Sequence, residues 1–431
     1  MKFTSTALVL GAGLALTIAF TLIPPEQALG VTYVPSATAV LAEVPIRKRV
    51  APVLSEQDAA KRARELVVEA RARGGDPRLL GQAQAVLSKW WTGSASPDVL
   101  LMRATVKQSL HDFEGALADL DVLLASRPDD DQAWLTRATV LNVLGRYGDA
   151  RASCAHVGSS DAQNTDAQNT DAQNTDAKNT DAKNTDAKNA DAKNADAKNA
   201  DAKNADAKNA DAKTATDERM RSPSDPLQIA RVVCDAPPRA LSGELREALA
   251  SLATLAPTDA ASRAWVASVR GELERWADDD SATEKSLREA LKLDADDSYT
   301  RLLLAELMLD TKRNAEVLKL YAGRALNDTE LLMVVLAGGT DQQKNDLTER
   351  VAANRQRGET LHRREESRYA LRVENDPAKA LELAVENWKV QREPADARVL
   401  IEAARAAKSD AAAEPAKKWL GETKLPWRVL Q

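Results

Sequence analysis

The sequence predicts an all-α protein: a solenoid of helical hairpins interrupted by a low-complexity insertion. Two stretches repeat at a spacing of 34 residues, with Ala104, Leu110, Phe113 and Ala116 recurring as Ala138, Leu144, Tyr147 and Ala150, and Arg103 recurring as Arg137. That period is the length of two antiparallel helices and their turns, a unit that buries its apolar face only by stacking on its neighbours. Composition agrees. Charged residues make up 29% of the 431 and aromatics 4%, while Ala and Leu recur without alternating β-branched runs, which favours helix over sheet. The net charge of −6 supplies no basic stripe for a phosphate backbone, so nucleic acid is not an expected partner.

Residues 1–30 read as a secretory signal: Lys2, an uncharged apolar run from Ala7 to Ile23, then Pro24-Pro25 and the small pair Ala28 and Gly30. The alternative is an uncleaved anchor, although the apolar run is short for a bilayer span. Either way the body is expected outside the cytoplasm, periplasmic or secreted, with membrane contact only if this segment is retained. Residues 31–54 are Pro-interrupted, carry Arg47-Lys48-Arg49 and read as an extended arm. An N-terminal helical domain is expected over 55–158. Its first helix starts at Ser55 and stops at Gly74-Gly75, and its second runs from Asp76-Pro77 to Trp90-Trp91. The repeat units follow, Pro97 to Asp130 and Asp131 to about Val157. In each, alanines sit where two helices must approach closely and Phe113 or Tyr147 wedges the turn region.

Trp134, Ala138, Gly145, Tyr147 and Ala150 make these units resemble tetratricopeptide repeats; the first unit departs with Leu100 in place of Trp and His111 in place of Gly. A wider stretch is similar to a group of exported bacterial tetratricopeptide-repeat proteins. It comprises Asp76-Pro77-Arg78-Leu79-Leu80-Gly81, Trp90-Trp91, Arg103-Ala104-Thr105, His111-Asp112-Phe113 and Ala116-Leu117-Ala118-Asp119-Leu120. That resemblance implies a fold and a compartment, and no activity.

Residues 159–224 change character. Ten pentapeptides fill 161–210, three Asp-Ala-Gln-Asn-Thr, two Asp-Ala-Lys-Asn-Thr and five Asp-Ala-Lys-Asn-Ala, with nothing large and apolar among them. Such a tract cannot bury enough surface to offset its ordering entropy and is expected to be a disordered linker inserted in a surface loop without a role of its own, with a fraying helix as the alternative. A second helical domain is expected over 225–415. Its pairs read as Leu227 to Cys234 with Gly243 to Leu255, Ser262 to Trp276 with Ser281 to Leu293, and Ser298 to Leu309 with Asn314 to Leu326. Leu347 to Val373 with Asp376 to Val390 follows, then Ala395 to Lys408. Residues 416–431 read as a tail that caps the last helix or serves as a docking motif.

No HExxH, GxSxG, phosphate loop or paired-Cys metal spacing occurs, so neither an enzyme nor a cofactor or metal is expected. Export makes a Cys154–Cys234 disulfide the simplest use of the two cysteines, with two separately buried thiols as the alternative. Arg103 and Arg137 are expected to pair with Asp119 or Asp121. Repeat register places Asp98, Leu101, Thr105, Gln108 and Ser109, then Gln132, Leu135, Thr139, Asn142 and Val143, on the inner face, where solenoid curvature makes a groove. It is neutral and polar and lacks the Lys/Arg/Asn set that clamps a carboxylate terminus. The expected function is an exported scaffold holding a protein or peptide of the cell envelope in that groove. The alternative is an accessory or substrate-presenting module of an envelope enzyme, or a membrane assembly factor.

Overall fold

A computed structural model describes residues 54–159 and 222–428, apart from 74, 359–361 and 427. The expected leader, nearly all of the arm and the pentapeptide tract lie outside the described residues. What is described is an all-α solenoid of tetratricopeptide-like hairpins, with no strand among the described residues. No described helix is long and apolar enough to cross a membrane.

Helix α1 (Glu56–Ala72) starts where the Ser55 hydroxyl accepts from the Asp58 N–H, and α2 (Pro77–Val86) where Asp76 accepts from Arg78 N–H. Such caps satisfy backbone donors that have no partner within the helix. The repeat units are α3 (Pro97–Ser109) with α4 (Phe113–Ser126), and α5 (Asp131–Val143) with α6 (Tyr147–Ala155). Their shared core holds Leu100, Ala104, Phe113, Ala116, Leu120, Leu141 and Ala150. Each hairpin turns through one left-handed residue, His111 at φ 61° and Gly145 at φ 77°, and these lie 34 positions apart. Glycine meets that demand without cost; His111 meets it with strain.

Helix α7 (Pro226–Arg239) outruns its expected end at Cys234 and continues through Pro237-Pro238 into a wide turn at residues 240–244 before α8 (Leu245–Ala253). Pro237 and Pro238 bring no backbone donors to that last turn of α7. Then follow α9 (Ala260–Trp276) with α10 (Asp280–Leu293), and α11 (Ser298–Asp310) with α12 (Asn314–Tyr321). The single helix expected from Leu347 to Val373 is two, α14 (Asp341–Gln356) and α15 (Arg363–Tyr369), because Gly358 at φ 68° ends the first. Before them lies α13 (Asp328–Leu336), which sequence periodicity hides: Leu331, Leu332, Met333 and Val334 are all buried, so no polar face marks it. Helices α16 (Pro377–Val390), α17 (Pro394–Ala406) and α18 (Asp410–Thr423) complete the array. The last runs straight through the boundary expected at 415, with Pro415 inside it.

The array closes on itself. Helices α16–α18 return to α7–α9, joining Ala380, Trp388, Leu400 and Trp419 to Ile229, Val233 and Trp276 in one core. Tyr147 on α6 donates its hydroxyl to Arg392 O at 2.9 Å and accepts from Trp419 Nε1 at 2.7 Å. Cys154 and Cys234 are bonded, Cα–Cα 5.6 Å, tying α6 to α7 across the insertion.

Candidate interaction site

The ten residues expected on the inner face divide by exposure. Asp98, Gln132 and Thr139 are exposed, and Gln108, Ser109, Leu135, Asn142 and Val143 are half-buried. Leu101 and Thr105 are buried, because Leu101 packs in the core of the repeat pair and the Thr105 hydroxyl donates to Leu101 O, so these two line the core and not the groove. The last of the ten meets a distant part of its own chain: Arg392 N–H donates to Val143 O at 2.8 Å. Asn142 Oδ1 is buried there without a donor among the described residues.

Arg103 crosses the α3–α4 hairpin to Asp119, Nε to Oδ2 at 2.7 Å and Nη2 to Oδ1 at 2.5 Å, with both side chains buried. Its remaining donors reach Trp90 O and Gly93 O. Arg137 makes the shifted equivalent, reaching the exposed Asp121 at 3.0 Å and Ser153 at 2.8 Å. Sixteen residues separate Arg103 from Asp119 and Arg137 from Ser153, and Arg270 donates to Ser286 over the same separation.

That recurrence extends the register into the C-terminal half. Asp278 (φ 63°) and Lys312 (φ 59°) are the left-handed turn residues of α9–α10 and α11–α12, again 34 positions apart. Aligned on these turns, Trp265 and Tyr299 occupy the repeat position of Asp98 and Gln132, and Glu272 and Glu306 that of Thr105 and Thr139. Sequence reasoning missed them because the weak repeats had no visible register; the 34-residue spacing from Trp265 to Tyr299 was the signal available. Trp265 is 41% exposed and Tyr299 50%, the only large aromatics so open among the described residues. Tyr299 donates its hydroxyl to Glu272 at 2.6 Å.

Across from this stripe stand the first helices of the later pairs. Arg368 on α15 reaches Glu306 at 2.5 Å, and Arg398 on α17 reaches Asp310 at 2.6 Å. Burial raises Glu272 to about 7 despite the hydrogen bond from Tyr299. Burial, with the Asp396 carboxylate beside it, raises Glu393 to about 6. Burial also works against the Glu365 charge, but Arg364 outweighs it and brings that carboxyl down to about 2. At this repeat register the first helices therefore carry polar residues on α3 and α5, and aromatics and glutamates on α9 and α11.

Two of the three histidines stack on aromatic rings. His111 stacks on Phe113 and burial lowers it to about 4, while His156 stacks on Trp134 at 4.1 Å between ring centroids. Cys154 is consumed by its disulfide, and no group of three His, Cys, Asp or Glu among the described residues is placed to hold a metal. Asp130 and Asp279 cap α5 and α10, and Arg428 of the tail pairs with Asp278 and Asp280.

No protein-family model matches the chain, and no curated protein matches it. Among solved structures the chain is similar to the TPR domain of P58(IPK), at 16% identity over 81% of this chain and 99% of that one, with a TM-score of 0.19. It is also similar to yeast Tom70, at 12% identity over 88% and 100%, with a TM-score of 0.21.

Proposed function

We propose that this protein is an exported scaffold, without catalysis of its own, that holds a protein partner of the cell envelope against the inner faces of its first helices. The observation that carries this reading is the pair Trp265 and Tyr299. Both stand exposed at one repeat position, with no core role, on the face that solenoids use for binding. Exposed aromatics beside a hydrogen-bonded acid are the residues that anchor interfaces. The exposed side of α5, from Gln132 and Leu135 to Thr139, would extend the same surface. Export is supported by the leader-like residues 1–30 and by the Cys154–Cys234 bridge, since disulfides persist in oxidising compartments.

A photo-crosslinking residue in place of Tyr299 or Leu135, with Val122 on α4 as an outer-face control, tests the reading in intact cells. Adducts to one protein from the two inner positions and not from Val122 are expected. Adducts from Val122 alone would refute it. N-terminal sequencing of the mature protein tests export and decides whether residues 1–30 are kept. A second reading, a polysaccharide-binding accessory module, is favoured by the same aromatics, which can stack on sugar rings. Retention on an envelope polysaccharide that is lost in Trp265→Ala, with no protein adduct, would select it.

A further inference from the structure

A cleft of about 600 Å³ opens on α6, α7 and α8, away from the inner-face stripe. One wall is the α6 stripe Gly148, Arg151 and Ala155, with Cys154; the other is the α7 stripe Gln228, Arg231, Val232, Asp235 and Arg239; Ser251 of α8 closes it. The residues recur at helical spacing on each side, so two helix faces look at each other across a space of the size that holds small ligands.

Asp235 organises the cleft. It accepts from Arg151 Nε at 3.2 Å and from Arg239 Nε at 2.7 Å, and so fixes two guanidiniums on its two sides. Arg151 is fixed again by Glu244 at 2.7 Å, leaving its Nη2 over. Arg231, half-buried on the same stripe, has no ion-pair or hydrogen-bond partner among the described residues. Three guanidiniums thus face two carboxylates, with one positive charge in excess and several N–H donors unused. Val232 and Ala155 supply a short apolar wall and Gln228 and Ser251 neutral polar groups. Such a fork of guanidiniums matches paired oxygens of a carboxylate or phosphate.

We infer that this cleft binds a small organic anion through Arg231, with Arg239 and Arg151 held ready by Asp235, and that the Cys154–Cys234 bridge keeps the site assembled. The bridge joins the two walls directly, Cα–Cα 5.6 Å, so reduction frees α6 to move from α7 and separates Arg151 from Arg231. Binding then depends on the oxidised state.

Full-length oxidised protein titrated with inorganic phosphate and, separately, with citrate, at ionic strength held constant with sodium chloride, tests the site by its thermal midpoint. A saturable rise with at least one anion is expected, because a ligand held by the native state alone stabilises it by mass action. A response to phosphate alone assigns the site to phosphate esters, and one to citrate alone assigns it to carboxylic acids. Arg231→Ala should weaken the effective anion about tenfold, the scale of one charge-assisted hydrogen bond. Arg246→Ala, exposed on α8 outside the cleft, should leave it unchanged. The double variant Cys154→Ser, Cys234→Ser should lose the effect while keeping its helical circular dichroism; if that variant unfolds, Arg231→Ala decides alone. No saturable rise with either anion, or equal affinity in the parent and Arg231→Ala, would overturn the site. Full affinity in the cysteine-free variant would overturn its dependence on the bridge.

Discussion

Two residues define what burial does to charge in this molecule. Arg103 and Asp119 are both buried and meet in a two-pronged pair, so removing one leaves the other without compensation. Losses of about 3–5 kcal/mol are typical of that situation. Lys107 also reaches Asp119 at 2.8 Å and offsets part of the loss, so Arg103→Met is expected near the low end, about 3 kcal/mol in urea unfolding. Adding Asp119→Leu should recover most of it, and simple additivity of the two changes would count against the pairing. Glu272 presents the opposite case, a carboxyl raised to about 7 that faces Tyr299, Glu393, Arg364 and Glu306. The folded state holds its proton more tightly than the unfolded one, so this group's contribution to stability falls as pH rises from about 4.5 to 7. Glu272→Gln keeps an acceptor for Tyr299 and removes the charge. It should therefore be more stable than the parent above pH 7, with the gap closing below about pH 4.5. An equal gap in urea midpoints at pH 8 and pH 4 would sink this account. The pairing of Arg103 was legible because two arginines share a repeat position and acidic residues lie on the next helix. Glu272 was not, because nothing local in Arg270-Gly271-Glu272 tells that Tyr299 stands over it.

In the α9–α10 hairpin, Gly271 sets how closely the two helices approach. A Cβ there would lie 2.7 Å from Leu287 Cδ2 and 3.3 Å from the Leu287 backbone nitrogen. In a helix interior glycine weakens the helix relative to alanine, so its presence is explained by packing and not by propensity. Gly271→Ala is expected to gain helix propensity and still destabilise, by about 1–3 kcal/mol, because the two helices must move apart. Stabilisation in urea unfolding would show that Leu287 can yield. Helices with one polar face were legible to within a few residues, as α9, α10 and α11 illustrate. Helix α13 was not, since an uninterrupted apolar run has no period to read, although Asn327 and Glu330 formed a capping signature in front of it. Turns were half legible. Gly145 announced its left-handed position, but His111, Asp278 and Lys312 fill the same position without glycine and so concealed the register of the later repeats.

For the whole molecule the decisive contacts join residues hundreds of positions apart, and no periodicity within a sequence encodes these. Tyr147 meets Arg392 and Trp419, and Trp419 stands edge-on to Trp388 at 5.8 Å between ring centroids. Through this cluster α18 joins α6 to α16 and α17, so the α5–α6 pair meets the last helical pair directly. The disulfide acts on the same junction from the other side. With its cysteines 80 positions apart, it lowers the entropy of the unfolded chain by an amount worth about 4–5 kcal/mol as an upper bound. Trp419 is nearly buried, and truncating such a side chain to alanine costs about 3–5 kcal/mol through lost contacts and the cavity left behind. If this contact couples α6 to the returning helices, Trp419→Ala will speed amide exchange in α6 as well as in α16–α18, because local opening of one partner removes the cover of the other. Hydrogen exchange read peptide by peptide on the oxidised protein decides this. Acceleration confined to α18 would mean that the disulfide and the α6–α7 contact alone hold the N-terminal repeats, and that the returning helices merely rest against them.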